Sequence, residues 1–476
     1  MRKTFFLRKS WLAITGITCI GLLLRLYKLG QWSFHVDEVA TVYHTIAFPK
    51  NLTINPIIYL LLWLWKEGFG ISEWSMRFIP CVIGVITIPI FYYPMKRMFN
   101  PLSALIACVL ISLSPWHLFW SQFARYYTLV FLLGGSTAFC FYLALEQNSL
   151  KLLICSLILA ILTILSHTPS LLILPAMVFY MIMLWIVPVE KPEGLNRRNF
   201  VIVILTIILP ALVFLIPGFF SYLISGWTVQ TWGGGSIYVL MSLIYRLGIP
   251  TSLVALLSLV HLLRYRDRRG VFLMSFTLFP LIIVLFGAAF ANVAAYYLFY
   301  TVPLYFLLTG YGAAEVFNNQ REKILGLAIS LILLFSFIGE DFLYFRYQNG
   351  GRAKWREAYQ TIAQADLSDS LVVAPIITAE YYLQRDDIIS PTELRSGKWQ
   401  GKSNEYLNTS DLRKPVWFVM YRPALRTDTD RKLYRWILAH CRLIADYPVF
   451  YIGPKNETIS VFLYEPDTHQ LIGLTE

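Results

Sequence analysis

The chain has 476 residues, of which 57% are hydrophobic and only 14% charged, with a formal net charge of +12. Soluble domains carry about 25% charged residues, and a fold of this length has no core large enough to hide so much apolar surface; a soluble globular protein is excluded. The basic residues sit in short segments between apolar runs, with no basic face interleaved with aromatics, so nucleic acid is excluded as a partner and membrane lipids take its place.

Eleven apolar runs follow one another, at about 11–27, 76–94, 102–118, 128–145, 151–166, 170–187, 200–220, 239–263, 271–289, 297–314 and 324–342. They predict an α-helical polytopic membrane protein, spans needing ~20 apolar residues each. The first run, behind Arg2-Lys3 and Arg8-Lys9, resembles a signal peptide, but Arg25-Leu-Tyr-Lys-Leu-Gly is a poor cleavage site; it reads as a retained signal anchor. The basic clusters at 2–9, 96–97, 151, 197–198, 264–269 and 321–323 all fall on one side in this count. The positive-inside rule makes that side cytoplasmic. The predicted location is the plasma (inner) membrane, multi-pass, with the N-terminus cytoplasmic and the C-terminal region extracytoplasmic.

The first outer loop, 28–75, carries Gly30-Gln-Trp-Ser-Phe-His35-Val-Asp37-Glu38. Two adjacent carboxylates beside a membrane surface point to contact with a substrate, since neighbouring side chains diverge in helix or strand. One reaches a reaction centre as general base while the other is tied to a neighbour; the plain alternative is a pair of solvated loop charges. His35, Asp37 and Glu38 together also form a weak candidate metal trio. Further on, Pro56-Ile-Ile-Tyr-Leu-Leu-Leu-Trp63-Leu-Trp65-Lys66 is apolar but too short to span. It is expected to lie along the outer interface, the alternative being a buried re-entrant segment.

In Trp120-Ser-Gln122-Phe-Ala-Arg125-Tyr126-Tyr127, a guanidinium flanked by amide and hydroxyl donors suits a phosphate. An arginine snorkelling to headgroups is the alternative. Arg77 is a weaker phosphate candidate. His167, before Thr168-Pro169, is a candidate ligand, base or substrate donor, or else a cap. The remaining outer carboxylates, Glu67, Glu73, Glu340 and Asp341, are expected to flank helices. Six cysteines (19, 81, 108, 140, 155 and 441) lie mostly in apolar runs without a CxxC, which disfavours a disulfide framework or a cysteine metal site.

From 344 the composition changes. A helix at 355–365, strands at 371–375, 416–420 and 459–464 and a helix at 430–440 predict a small α/β domain. It has no GxGxxG or GK[ST], so nucleotide binding is not supported. The predicted domains are a membrane domain, 1–343, whose loop 28–75 carries the carboxylate, and an outer α/β domain, 344–476.

These residues resemble the polytopic GT-C glycosyltransferases of the family 39 type, the class of bacterial protein O-mannosyltransferases and aminoarabinose transferases. The match begins with the basic N-terminus and Leu29-Gly30-Gln-Trp-Ser-Phe-His-Val-Asp37-Glu38-Val-Ala. It continues through Asn55-Pro56-Ile-Ile-Tyr59, Ser75-Met-Arg77-Phe-Ile-Pro80 and Ser114-Pro-Trp-His117-Leu-Phe-Trp-Ser121-Gln122-Phe-Ala-Arg125-Tyr126-Tyr127. It covers roughly the first 190 residues well, and the rest only in layout. The resemblance implies an inverting transfer of a sugar from a polyprenyl-phosphate donor to an unidentified acceptor (lipid, glycan or protein) on the outer face. Asp37 matches the catalytic base and Arg125 the arginine near the lipid phosphate, with Glu38, Gln122 and Tyr126 lining the same cavity. The chain departs from the pattern at Asn55-Pro56-Ile57, where the family often has His-Pro-Pro. It also has Phe123 in place of a glutamate, and Ala295-Tyr296-Tyr297 in place of an arginine before tyrosine. Asn55 joins His35 and His167 as candidate substrate or metal contacts. No resident cofactor is required, and a divalent cation is left open. The rival readings are a transporter or flippase of lipid-linked sugars, and a non-catalytic membrane scaffold with an outer binding domain. A transporter would place charged or helix-breaking residues deep within paired spans.

Overall fold

The computed structural model describes residues 2–50, 55–213, 233–365, 370–391, 414–422, 428–450 and 457–466. Residues 214–220 of the seventh run lie outside them. The chain forms two compact units. The first comprises Met1–Tyr27, Phe48–Gly70 and Arg77–Asp341, the second Lys28–Ala47, Ile71–Met76 and Phe342–Glu476.

All eleven apolar runs are helical where described. They are α1 (Arg2–Leu26), α4 (Glu73–Met98), α5 (Pro101–Leu113) with α6 (Pro115–Ser121), α7 (Tyr127–Glu146), α8 (Leu150–Ser166), α9 (Ile173–Ile186), α10 (Arg197–Val213), α11 (Ser236–Leu247) with α12 (Ile249–Arg264), α13 (Arg268–Gly287), α14 (Val302–Asn318) and α15 (Lys323–Arg346). Five of the described helical segments are singly long and apolar enough to cross a membrane, and two bent pairs bring the number to seven.

Two of the expected spans, the third and the eighth, are bent. At Ser114-Pro115 the axis turns by 56°, because Pro115 has no N–H to continue the ladder. Ser114 instead accepts from the His117 amide at 3.3 Å and starts α6. The expected eighth span is broken by 99° between α11 and α12, where Gly248 at φ +85° and Pro250 stop one helix and start the next. Buried on nearly every side from Val302 to Ala314, α14 forms the centre of the first unit. A Cβ on its Gly310 would lie 2.4 Å from the Ser103 carbonyl of α5, so glycine is required for the two backbones to approach this closely. The short apolar segment forms α3 (Pro56–Phe69), 14 residues long or ~21 Å, still less than a ~30 Å hydrocarbon core.

In the second unit, a four-stranded sheet has the order β1-β2-β4-β3, with β1 (Leu371–Val373) parallel to β2 (Val416–Tyr421). Antiparallel pairs join β2 to β4 (Ile459–Tyr464) and β4 to β3 (Arg442–Tyr447). Alternation along β2 gives each face its own core. Trp417 and Val419 pack with Trp355, Tyr359 and Ile362 of α16 (Trp355–Ala363). Phe418 and Met420 pack with Leu433 and Ile437 of α18 (Asp428–His440). The edge strand β3 and α17 (Ile376–Leu383) were not expected from sequence. In the first outer loop, Val36–Ala47 forms a helix, α2, rather than coil.

Candidate functional site

In the second unit, Asp37 and Glu38 open α2. Its apolar face is set by Val39 and Val42, both fully buried. The helix start is a capping box: the Glu38 carboxylate accepts from the His35 amide at 2.9 Å. The Asp37 amide in turn donates to His35 Nδ1 at 3.1 Å. That nitrogen is therefore unprotonated, and its 3.9 Å approach to the Asp37 carboxylate is no ion pair.

Glu38 has a second task. Its carboxylate takes the Arg352 Nε–H at 3.0 Å, with both side chains fully buried. Burial alone would weaken the charged form of Arg352, but Glu38 and Tyr344 together outweigh it and hold the guanidinium above its ordinary pKa. The Arg352 guanidinium lies over the Trp32 ring, 5.7 Å from its centroid. Gly350, at φ +61°, sits so close to the same ring that a Cβ would approach within 2.2 Å. Ser33 donates to the Ala353 carbonyl at 2.8 Å and accepts from the Trp355 amide at 3.0 Å.

A second knot holds the next residue. The Phe34 amide donates to the Tyr382 hydroxyl at 2.7 Å, and this hydroxyl donates to Glu73 at 3.0 Å. Glu73 also accepts from Arg356 at 2.6 Å. Burial, reinforced by Glu73, raises the Tyr382 pKa and keeps its phenol a donor. Segment 28–47, assigned from sequence to the membrane domain, thus packs with the C-terminal segment through Ser33, Phe34 and Glu38. Glu73 is an ion-pair partner rather than a simple helix flank.

These contacts correct two expectations. Glu38 is committed to Arg352 and to the cap, so its carboxylate is tied to neighbours at the start of α2. His35 uses Nδ1 as a cap, and no cluster of three or more His, Cys, Asp or Glu placed to hold a metal occurs among the described residues. Asp37 keeps its side chain 54% exposed.

In the first unit, Arg125 and Tyr126 lie in the turn between α6 and α7, beside His167 at the end of α8. The Arg125 guanidinium sits 5.7 Å from the Tyr126 ring centroid. Tyr126 lies 5.2 Å from His167, whose ring is also 5.5 Å from Tyr297. Tyr127 packs on Trp120 at 3.8 Å and on Tyr296 at 5.3 Å. An isolated bridge, Gly234 to Val293, ties down the loop that carries both late tyrosines.

Gln122 does not belong to this group. Its amide nitrogen donates to the carbonyls of Arg25 at 2.9 Å and Tyr27 at 2.7 Å. Both of its N–H groups therefore cap the end of α1, a correction to the phosphate role expected of it. Arg77 is fully buried near the start of α4. Asn55 precedes Pro56 at the start of α3 without capping it, and its buried Oδ1 has no hydrogen-bond partner. Missing from the sequence reading were Arg25, His117, Arg352, Arg356 and Tyr382. For Arg25 and Arg352 the signal was a charge directly beside an apolar or glycine-rich stretch; the others gave none.

The fold is that of the polytopic GT-C glycosyltransferases. Residues 53–216 match the family described as dolichyl-phosphate-mannose-protein mannosyltransferase, so the family resemblance of the N-terminal part holds. ArnT from Cupriavidus metallidurans in the apo state aligns over 97% of this chain and 99% of its own, with TM-score 0.56 and 11% identity. The same enzyme bound to undecaprenyl phosphate aligns over 94% and 97%, with TM-score 0.55 and 12% identity. The archaeal oligosaccharyltransferase AglB from Archaeoglobus fulgidus, in complex with an inhibitory peptide and a dolichol-phosphate, aligns over 87% of this chain and 70% of its own, with TM-score 0.56 and 13% identity. No curated protein matches the sequence.

Proposed function

We propose that this multi-pass membrane protein is an inverting glycosyltransferase, moving a sugar from a polyprenyl-phosphate donor to an acceptor hydroxyl on the outer membrane face. The observation that carries the reading is the division of labour at the start of α2. Glu38 is buried and paired, which leaves Asp37 exposed on a fixed backbone. The lipid phosphates bound to ArnT and AglB support the donor class.

In the proposed reaction the acceptor oxygen attacks the anomeric carbon as the bond from that carbon to the phosphate oxygen breaks. The acceptor proton passes to the Asp37 carboxylate, and the polyprenyl phosphate leaves as an anion. Phosphate is a stable leaving group, so no strong general acid is needed. Arg125, with the Tyr126 hydroxyl as a further donor, stabilises the charge growing on the departing phosphate. Attack opposite the leaving group inverts the anomeric centre. The proposed topology keeps the six basic clusters cytoplasmic, with Asp37, Arg125, His167 and the α/β domain of 344–476 outside. A divalent cation is open to test by chelation.

Substituting Arg125→Ala is expected to lower kcat/KM for a polyprenyl-phosphate sugar about 10- to 100-fold, the worth of a hydrogen bond to a charged group. Steady-state kinetics in reconstituted membranes, with the acceptor saturating, measures it. An unchanged kcat/KM would remove Arg125 from the phosphate site.

A further inference from the structure

Arg25, in the last turn of α1, is fully buried although it carries a charge. A guanidinium has five N–H donors in a fixed plane, and here all five are used. Nε donates to Ser121 Oγ at 3.1 Å. Nη1 donates to the carbonyls of Gly21 at 3.0 Å and Ser112 at 2.9 Å. Nη2 donates to the Ile111 carbonyl at 3.0 Å and to His117 Nδ1 at 2.7 Å.

The acceptors explain the burial. Ile111 and Ser112 belong to the last turn of α5, whose carbonyls lose their intrahelical partners where the chain breaks at Ser114-Pro115. That helix end is also the negative pole of its dipole, so the cation supplies both hydrogen bonds and countercharge. Arginine has no acceptor, so His117 Nδ1 must accept and the imidazole proton sits on Nε2. The lock works in both directions, because Gln122 donates back to the Arg25 and Tyr27 carbonyls. Behind it, α4 leaves no slack: a Cβ on Gly84 would lie 2.3 Å from Ser121 Oγ. Arg125 follows Gln122 by three residues, and its amide donates to the Phe123 carbonyl at 2.7 Å.

We propose that Arg25 is a positioning residue for the phosphate end of the site: through Ile111, Ser112, His117 and Ser121 it fixes the α5–α6 bend, and with it the turn that presents Arg125. This rests on the phosphate role proposed for Arg125. Lysine offers three donors around a point charge and cannot bridge five acceptors. Arg25→Lys therefore keeps the charge and loosens the bend. At His117, asparagine can place an acceptor where Nδ1 stands and phenylalanine cannot.

The test is equilibrium binding to the full-length protein in nanodiscs, with a polyprenyl phosphate and the uncharged prenol of the same length as probes. Wild type, Arg125→Ala, Arg25→Lys, His117→Asn and His117→Phe are compared. Arg25→Lys and His117→Phe are expected to weaken polyprenyl-phosphate binding about tenfold, the loss of one hydrogen bond to a charged group, and to leave prenol binding unchanged, while His117→Asn binds both probes as wild type does. A merely structural role would lower both affinities together, or neither. If Arg125→Ala binds the phosphate as wild type does, the proposed function has failed. If Arg125→Ala weakens phosphate binding while Arg25→Lys and His117→Phe do not, the positioning role is overturned and the phosphate site stands. Should Arg25→Lys not fold, the His117 pair still decides.

Discussion

An Asp37→Asn variant is expected to fold, to keep its donor affinity and to lose about 10²- to 10⁴-fold in kcat, the range contributed by a positioned general base. The amide is nearly isosteric with the carboxylate and cannot take the acceptor proton. The contacts that build the helix start survive the change. The residue 37 amide still donates to His35 Nδ1, and Thr41 Oγ1 still donates to its carbonyl at 3.0 Å. Neither bond involves the carboxylate, so lost activity would not reflect a lost helix. Single-turnover transfer at saturating donor separates the two parameters. A rate within a factor of two of wild type, with normal expression, would leave Asp37 without a catalytic part and favour the scaffold reading.

The second large effect is on stability. Arg352→Leu is expected to destabilise the second unit by about 3–5 kcal/mol, the cost of leaving one member of a buried ion pair uncompensated. Both side chains are fully buried, and Glu38 has the His35 cap as its other role. The paired change Glu38→Gln with Arg352→Leu is expected to cost less than Arg352→Leu alone, because glutamine retains the capping acceptor and buries no charge. Hydrogen exchange of the α2 amides in the full-length protein reads the difference. Protection that falls equally in the single and double variants would show that the charge pair does not hold α2 in place.

Which of these features could be read from the sequence follows from the range of the interactions. The apolar runs are local patterns, and each is helical where described, the third and eighth as bent pairs of helices. The strands β1, β2 and β4 were legible as short, mostly apolar runs. The edge strand β3 was not, because Arg442 and Asp446 interrupt its apolar pattern. In α2, the helical spacing of Val39 and Val42 and the capping glutamate were present in the sequence, but lay between Gly30 and Pro49 in a stretch read as loop. The bends at Pro115 and Gly248-Ile249-Pro250 were likewise written in residue types that end helices.

Pairings were the illegible part. Glu38 and Arg352 are separated by 314 positions, and Glu73 and Tyr382 by 309. No local pattern couples such residues. Gln122 shows the same limit in reverse: its neighbours suggested a phosphate ligand, while its amide is taken by carbonyls from α1, 95 and 97 positions away.

The most direct measurement is transfer from a panel of radiolabelled polyprenyl-phosphate sugars to candidate acceptors by the wild-type protein in reconstituted membranes, run with and without chelator and beside Asp37→Asn and Arg125→Ala. Transfer by the wild type alone, with inversion at the anomeric carbon, is the expected result, and the chelator arm reports whether a cation takes part. Equal transfer by all three proteins would contradict the proposed site and leave the GT-C fold as a scaffold for other chemistry.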